Sequence, residues 1–215
     1  MELGVGAKRV HVVDDNATFR KTIEGLLRQF GYEVATYPSA QHLLNRSPSD
    51  DVPSCILLDV RLPGMSGPEL QERLLELGST LPIIFLTGHT DIATTVRTIK
   101  AGGQDFLIKP VSSEQLLQSV QRAIAYHSAV LNLKRTRAVI LSRIATLTPR
   151  ERQVFELVIR GKTNKEIASA LGATERTMKA HRNGVMTKMQ VRSLVELVSL
   201  AERVGVLASD DGQTT

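Results

Sequence analysis

The sequence has few of the features that anchor a protein in a membrane or cross-link it covalently. Cys55 is the only cysteine among 215 residues, which excludes an internal disulfide framework and a zinc site built from several cysteines. Uninterrupted apolar runs stop at four residues, whereas a transmembrane helix needs about 20. The first ten residues contain no apolar stretch of the kind that a secretory signal requires. We therefore expect a cytoplasmic protein without a membrane partner.

Charge is divided unevenly along the chain. Residues 1–127 carry 12 Lys and Arg against 14 Asp and Glu, a net charge of −2, whereas residues 128–215 carry 15 against 8, a net charge of +7. A near-neutral first part followed by a basic second part predicts two domains, with nucleic acid as the partner of the second. A basic surface that is merely solvated is the alternative.

Residues 8–109 alternate between short β-rich segments and segments with helical periodicity. The predicted strands are Lys8–Val13, Glu33–Tyr37, Ser54–Leu58, Pro82–Thr87 and Gln104–Ile108. The predicted helices between them are Phe19–Phe30, Ser39–Arg46, Pro68–Leu77 and Asp91–Ala101, and a fifth begins near Ser113. This alternation predicts a parallel sheet with helices on both faces.

The remainder of the chain predicts helices only. Residues 128–146 are basic and favour either a single helical spacer or a coiled coil. Three later helix starts have the capping-box sequence, at Thr148–Glu151, Thr163–Glu166 and Ser193–Glu196, and Thr174 begins a fourth helix. The short turn at Gly172–Thr174 between two of these helices is typical of a helix-turn-helix.

Polar side chains follow the predicted strands at their carboxyl ends. These side chains are Asp14, Asp15, Asp59, Thr87 and Lys109. Open α/β sheets bind ligands at this edge, and Mg²⁺ would relieve the repulsion between three carboxylates gathered there. A cation, an ammonium group and a hydroxyl suit the oxygens of a transferring phosphoryl group, for which a carboxylate can be the nucleophile.

Four short sequence motifs occur in order along these alternating strands and helices. They are Val12-Val-Asp-Asp15, Leu58-Asp-Val-Arg-Leu-Pro-Gly-Met65-Ser-Gly67, Thr87-Gly-His89 and Asp105-Phe-Leu-Ile-Lys-Pro110. Through them, residues 8–126 resemble the receiver domain of a bacterial two-component response regulator. The resemblance implies a flavodoxin-like α/β fold, a doubly wound parallel sheet of five strands.

The same resemblance implies a role for each polar residue. Asp59 would be the phosphoacceptor, supplied by a sensor histidine kinase. Mg²⁺ would bind Asp14, Asp15, Asp59 and the backbone carbonyl of Arg61. Thr87 and Lys109 would contact the phosphoryl group, and Phe106 would be the aromatic switch residue.

The predicted helix Glu175–Met189 has two faces. Its apolar stripe is Met178, Val185 and Met189, and its other face carries Arg176, Lys179, Ala180, Asn183 and Thr187. Long basic and amide side chains around a small alanine suit a DNA major groove. Lys162 and Lys165, near the start of the preceding helix, are placed to hold phosphate. A solvated face on a protein-binding bundle is the alternative.

Several strings in this part also carry a resemblance: Leu147-Thr-Pro-Arg-Glu-Arg-Gln-Val154, Gly161-Lys-Thr-Asn-Lys-Glu-Ile-Ala168 and Glu175-Arg-Thr-Met-Lys-Ala-His-Arg182. They resemble the LuxR-type helix-turn-helix, and the whole chain is similar to transcriptional regulators of the FixJ/NarL type. We expect a receiver over residues 7–127, a helical linker over 128–146, a small all-α DNA-binding domain of four helices over 147–208 and a tail over 209–215.

The expected function is a DNA-binding transcriptional response regulator rather than an enzyme. The expected partners are a histidine kinase, double-stranded DNA and, once Asp59 is phosphorylated, a second copy of the chain whose pairing promotes promoter binding. RNA polymerase is a further candidate partner. One alternative is a phosphorylation-independent regulator whose receiver is only a scaffold. The other is a phosphatase of the haloacid dehalogenase type, which would need an aspartate where Arg61 stands.

Overall fold

The structure is a computed structural model that describes residues 7–46, 48, 50–88 and 104–206. His89, the predicted helix Asp91–Ala101 and the predicted tail lie outside the described residues. The chain divides into two compact units, Met1–Asn132 and Leu133–Thr215, and the division falls inside the predicted linker. Within the described ranges, none of the helices combines the length and hydropathy needed to cross a membrane.

The first unit contains the predicted parallel sheet. Its strands are β1 (Arg9–Val13), β2 (Glu33–Tyr37), β3 (Ser54–Asp59), β4 (Ile83–Thr87) and β5 (Asp105–Ile108). They are all parallel, in the order β2-β1-β3-β4-β5. The described helices of this unit are α1 (Ala17–Gln29), α2 (Ala40–Arg46), α3 (Gly67–Glu76) and the first part of α4 (Ser113–Ala145). The five-stranded flavodoxin-like fold expected from the sequence is therefore confirmed.

Alternate strand residues bury opposite faces of this sheet. Val12 and Leu57 pack with α1 and α4 in one core cluster, whereas Val13 and Leu58 pack with α2 and α3 in another. Because both faces are covered, the central strands consist almost entirely of buried residues and show no alternation of polar and apolar side chains. The aspartates at the carboxyl ends of β1 and β3 therefore follow buried strands, and the polar residue inside β1, His11, is itself buried.

The second unit is all helical. After the end of α4 it contains α5 (Pro149–Ile159), α6 (Asn164–Ala170), α7 (Glu175–Met189) and α8 (Leu194–Arg203). The end of α4 belongs to its core, because Ile140 and Ile144 pack with residues from α5 to α8. The bounds of α7 are those that the sequence predicts.

Helix caps explain where these helices begin, with one correction to the sequence-based prediction. Thr148 and Thr163 form complete capping boxes with Glu151 and Glu166. Ser193 accepts a hydrogen bond from the Glu196 amide, but the Glu196 carboxylate accepts from the amide of Arg192, at 2.8 Å, and not from that of Ser193. Ser193 has a φ of −137°, whereas Thr148 has −64°, and this rotation turns the Ser193 amide away from the carboxylate.

Candidate functional site

Three carboxylates meet at the carboxyl edge of the sheet. Asp14 follows β1 and Asp59 ends the neighbouring β3, and the pairing of Val13 with Leu58 brings these strand ends side by side. With Asp15 they offer three carboxylate oxygens that lie within 4.8 Å of one another. Asp14 is fully buried, whereas Asp15 is exposed to solvent. The arrangement concentrates negative charge in a crevice that opens to water on one side.

Lys109 neutralises part of this charge. Its Nζ donates to Oδ2 of Asp14 at 2.6 Å and to Oδ2 of Asp59 at 2.7 Å, and it lies 4.4 Å from the centroid of the Phe19 ring. Burial alone lowers the pKa of Lys109, but the hydrogen bonds and charges of Asp14 and Asp59 outweigh it and raise that pKa above its usual value. The lysine is therefore cationic at neutral pH.

The backbone around the crevice fixes the two buried carboxylates. The amide of Asn16, the N-cap of α1, donates to Oδ1 of Asp14 at 2.8 Å, and the amide of Arg61 donates to Oδ1 of Asp59 at 3.0 Å. The Arg61 side chain is exposed, and its carbonyl lies two residues beyond Asp59 in the loop after β3. Both oxygens of Asp59 thus accept a hydrogen bond from a defined donor.

Thr87 and Phe106 lie near the crevice but do not bind the carboxylates. The hydroxyl of Thr87 donates to the carbonyl of Gly88 at 3.1 Å, and the Lys109 amide donates to the Thr87 carbonyl at 2.7 Å. Phe106 pairs with Phe85 in β4 and packs half-buried against the core cluster under α2 and α3. The structure thus joins Asp14, Asp59 and Lys109 by hydrogen bonds and places a carboxylate oxygen of Asp15 within 4.8 Å of those of the other two aspartates. The Thr87 hydroxyl and Phe106 bind none of these carboxylates among the described contacts.

Three further residues shape the site without having been singled out in the sequence. Arg20 donates to the Asp14 carbonyl at 2.6 Å, and Phe19 stacks under Lys109. A Cβ on Gly67 would lie 2.6 Å from the carbonyl oxygen of Asp59, so only glycine fits there. The spacing of Phe19 and Arg20, one turn after the paired aspartates, is the signal that could have pointed to the first two.

The donor set fits a hard divalent cation. Carboxylate and carbonyl oxygens are the ligands that Mg²⁺ prefers, and the described residues at this edge offer no nitrogen or sulfur ligand that would select a softer metal. Asp14, Asp15, Asp59 and the Arg61 carbonyl are the groups that could hold it.

The second candidate surface is the outer face of α7. Met178, Val185 and Met189 are fully buried, and the opposite face is exposed at Arg176, Lys179, Ala180, Asn183 and Thr187. Lys165 on α6 is exposed too, while Lys162 lies 3.4 Å from the Glu166 carboxylate. The side chains of Arg176, Lys179, Asn183 and Lys165 have no partner within the described part of the chain, so they are available to an external one.

Comparison with known proteins assigns both units. Residues 10–121 match the family model of the response regulator receiver domain. Residues 145–201 match that of the bacterial regulatory proteins of the luxR family. The chain belongs to the response regulators. It is a DNA-binding transcriptional regulator of this family, in which a receiver precedes a LuxR-type domain, as the sequence predicts.

Full-length relatives share this architecture. The chain is 43% identical over 205 residues to Nodulation protein W of Bradyrhizobium diazoefficiens, covering 95% of this chain and 90% of the relative. It is 39% identical to the transcriptional regulatory protein FixJ of the same species, covering 92% and 96%. The solved structure of the response regulator StyR superposes with a TM-score of 0.83 at 41% identity, covering 92% of this chain and 99% of StyR.

Proposed function

We propose that Asp59 accepts a phosphoryl group from a phosphohistidine of a partner kinase, and that this modification controls DNA binding by the second unit. The observation that supports this most directly is the hydrogen bonding of the Asp59 carboxylate, with Lys109 on one oxygen and the Arg61 amide on the other. These donors orient the carboxylate beside a fixed positive charge. Such preorganised charge favours transfer of an anionic group.

In the transfer, an oxygen of Asp59 forms a bond to phosphorus while the phosphorus–nitrogen bond of the phosphohistidine breaks. The electron pair of the broken bond stays on the imidazole nitrogen. Lys109 places its ammonium group beside the phosphoryl oxygens. Thr87 can rotate its hydroxyl from the Gly88 carbonyl to a phosphoryl oxygen, since the bond that it gives up is a single neutral hydrogen bond of 3.1 Å.

Mg²⁺ would be held by Asp14, Asp15, Asp59 and the Arg61 carbonyl. When bound, it supplies positive charge that offsets the repulsion between these carboxylates and an incoming phosphoryl group. We propose no other cofactor, and we propose a regulator rather than an enzyme with a substrate of its own.

Labelling with a small phosphodonor tests the acceptor. With Mg²⁺ present, the full chain should gain one phosphoryl group that is labile in acid and base, and Asp59→Asn should abolish it because an amide is a poor nucleophile. Asp51→Asn is the matched control, because Asp51 is an exposed carboxylate before the same strand. Normal labelling of Asp59→Asn would show that another group is the acceptor.

Pairing of two receivers is the proposed route from the phosphoryl group to DNA. The pairing surface would comprise β5, the first part of α4 and the segment 91–101, which lies outside the described residues. β5 is an edge strand of the sheet, and its Ile108 exposes 51% of its surface. Such pairing raises the local concentration of the second DNA-binding unit, and two half-sites would lie about 34–36 Å apart.

Sedimentation of the full chain with and without phosphodonor tests the pairing. Phosphorylation should convert monomer to dimer at micromolar concentration. A phosphorylated chain that stays monomeric, yet binds DNA far more tightly than the unmodified chain, would point to release of an inhibitory contact between receiver and DNA-binding unit instead.

On the DNA, we propose that Arg176, Lys179, Ala180 and Asn183 face the bases, and that Lys162 and Lys165 hold phosphates. Within the described part of the chain the side chains of Lys179, Asn183 and Lys165 are exposed and have no partner, which supports their availability to DNA. Action on chromosomal DNA would place the protein in the cytoplasm, with RNA polymerase as a further partner at the promoter.

A further inference from the structure

The last turn of α7 is tied to the start of α5 by an ion pair. Lys188 Nζ lies 2.5 Å from Oε2 of Glu151 and donates a second hydrogen bond, at 3.2 Å, to the carbonyl of Thr146. The same oxygen of Glu151 accepts from the Thr148 amide at 2.8 Å. Only 11% of the Glu151 side chain is exposed, against 35% of the Lys188 side chain, so the carboxylate is the more shielded partner. Hydrogen bonds from Lys188 first, and from Thr148 next, lower the pKa of Glu151 to about 2, which keeps it anionic at neutral pH.

Gly184 lets the two helices approach closely at this pair. It precedes Lys188 by four residues and therefore lies on the same side of α7. A Cβ at Gly184 would be 2.6 Å from Oε1 of Glu151, well inside van der Waals contact. The carboxylate thus lies directly against the backbone of α7, one helical turn before the lysine that binds it.

A third contact to the end of α7 comes from α4. Arg143, in the last turn of α4, donates to the carbonyl of Met189 at 3.2 Å. This carbonyl is one of those that an α-helix leaves without an internal partner. The final two turns of α7 are therefore fastened by charged side chains of α4 and α5, in addition to their apolar packing.

The residues of α7 that make these contacts alternate with residues of its outer face. Asn183, which is proposed to face the bases, directly precedes Gly184, and Thr187 of the same outer face directly precedes Lys188. Neighbouring residues of a helix are about 100° apart around its axis, so the fastened side and the reading side belong to the same two turns. A small rotation or shift of these turns moves Asn183 and Thr187 relative to a base edge.

We propose that Glu151 is a positioning residue for DNA recognition, which acts through Lys188 and Gly184 to set the orientation of α7 without touching DNA itself. The proposal rests on the proposed role of α7 in reading bases. It assigns Glu151 a task that the capping box of α6 does not have, because Glu166 closes the same kind of box but is exposed and binds no residue of α7 among the described contacts.

Glu151→Gln in the full chain tests the proposal. The amide keeps the shape of the side chain and can still accept from Thr148, but it loses the charge that binds Lys188. The preferred duplex is first selected with wild-type protein from a library of random DNA, and a scrambled duplex of the same length is the comparison. The measured quantity is the dissociation constant for the scrambled duplex divided by that for the preferred duplex. A general change in charge or in the folded fraction alters this ratio far less than it alters either constant.

We expect Glu151→Gln to reduce this ratio about tenfold, the size of one mismatched base pair. Glu156→Gln removes the same charge from an exposed position of α5, and Glu166→Gln weakens an equivalent capping box on α6. Both controls should keep the wild-type ratio. A wild-type ratio in Glu151→Gln would overturn the proposal.

Lys188→Met removes the other, more exposed partner of the same ion pair, and it replaces Glu151→Gln in the test if that variant loses affinity for both duplexes by unfolding. Lys188→Met should reduce the ratio as well. The ratio of the double variant should fall no further than that of the more affected single variant. Independent, multiplying losses would overturn the proposal. Lys179→Ala distinguishes failure of the positioning role from failure of base reading by α7. If Lys179→Ala alters base preference while Glu151→Gln keeps the wild-type ratio, the positioning role alone is refuted. If Lys179→Ala leaves base preference unaltered, base reading by α7 is refuted, and the positioning role with it.

Discussion

The ammonium nitrogen of Lys109 lies 2.7 Å from Oδ2 of Asp59, although the two residues are 50 positions apart in the sequence. Their strands are not neighbours, because β4 lies between β3 and β5. The lysine follows β5 and reaches the carboxylate across the end of β4. A side chain of this length is needed for the task, which explains why a lysine, and not a shorter donor, can follow β5 at this site.

Lys109→Met should lower the stability of the receiver and make it more dependent on Mg²⁺. The change leaves Asp14 buried without its cation, and because Lys109 is 24% exposed we expect a loss of about 2 kcal/mol, below the range for a fully buried pair. Urea unfolding with and without Mg²⁺ measures it. Mg²⁺ should restore more stability to the variant than to the wild type, and Lys21→Met, on the exposed side of α1, should behave as wild type. An equal response of Lys109→Met and wild type to Mg²⁺ would contradict the placement of the cation.

Lys179→Ala should change base preference. We expect a cost of about 1–3 kcal/mol on the preferred duplex and relaxed selectivity at one base position. Selection from random DNA, followed by sequencing, measures this. A uniform loss on all sequences would remove Lys179 from the set of base-reading residues.

Lys165→Ala should instead weaken binding to all sequences alike. Loss of one phosphate contact should lower the slope of log K against log salt concentration by about 1. Titrations of one duplex at several salt concentrations measure the slope. An unchanged slope would mean that Lys165 makes no phosphate contact.

The buried His11 should make the receiver sensitive to acid. Burial first, and the charge of Arg9 next, lower its pKa from 6.5 to about 4, against an opposing effect of Asp50. The unfolded chain therefore binds the proton more tightly than the folded chain, and stability should fall as pH drops from about 6.5 to about 4, by about 3 kcal/mol in total. Urea unfolding across this range measures the loss. His11→Gln, whose amide can still bond to the Tyr37 hydroxyl, should flatten the profile, and His42→Gln at an exposed position should leave it unchanged.

Gln190→Gly should stabilise the second unit. Gln190 ends α7 with φ 56° and ψ 45°, the left-handed conformation that side chains disfavour and glycine adopts readily. We expect a gain of about 1 kcal/mol. Gln153→Gly, in the regular part of α5, should lose about the same amount. Thermal unfolding of both variants measures the two effects, and changes of the same sign would refute this explanation.

Much of the architecture could be predicted because it depends on short stretches of chain. The strand ends that place Asp14 and Asp59 together follow from the apolar runs before them. Helix α7 begins after its N-cap Thr174 and ends before its C-cap Gln190, because cap and turn residues act over three or four positions. Where such a local signal was incomplete, the prediction was wrong: the Ser193 capping box does not close, because the backbone angle of Ser193 is not set by the sequence of the box.

The sequence by itself determined the two units, the order along the chain of the described strands and helices, and which residue types stand at the carboxyl edge of the sheet and on α7. Only the tertiary structure decided that Thr87 bonds to Gly88 and not to Asp59, that Lys109 lies over Phe19, and that Glu151 meets Gly184 and Lys188. The physical reason is sequence distance. Periodicity and capping act between residues a few positions apart, whereas these contacts join elements whose approach depends on how the whole core packs.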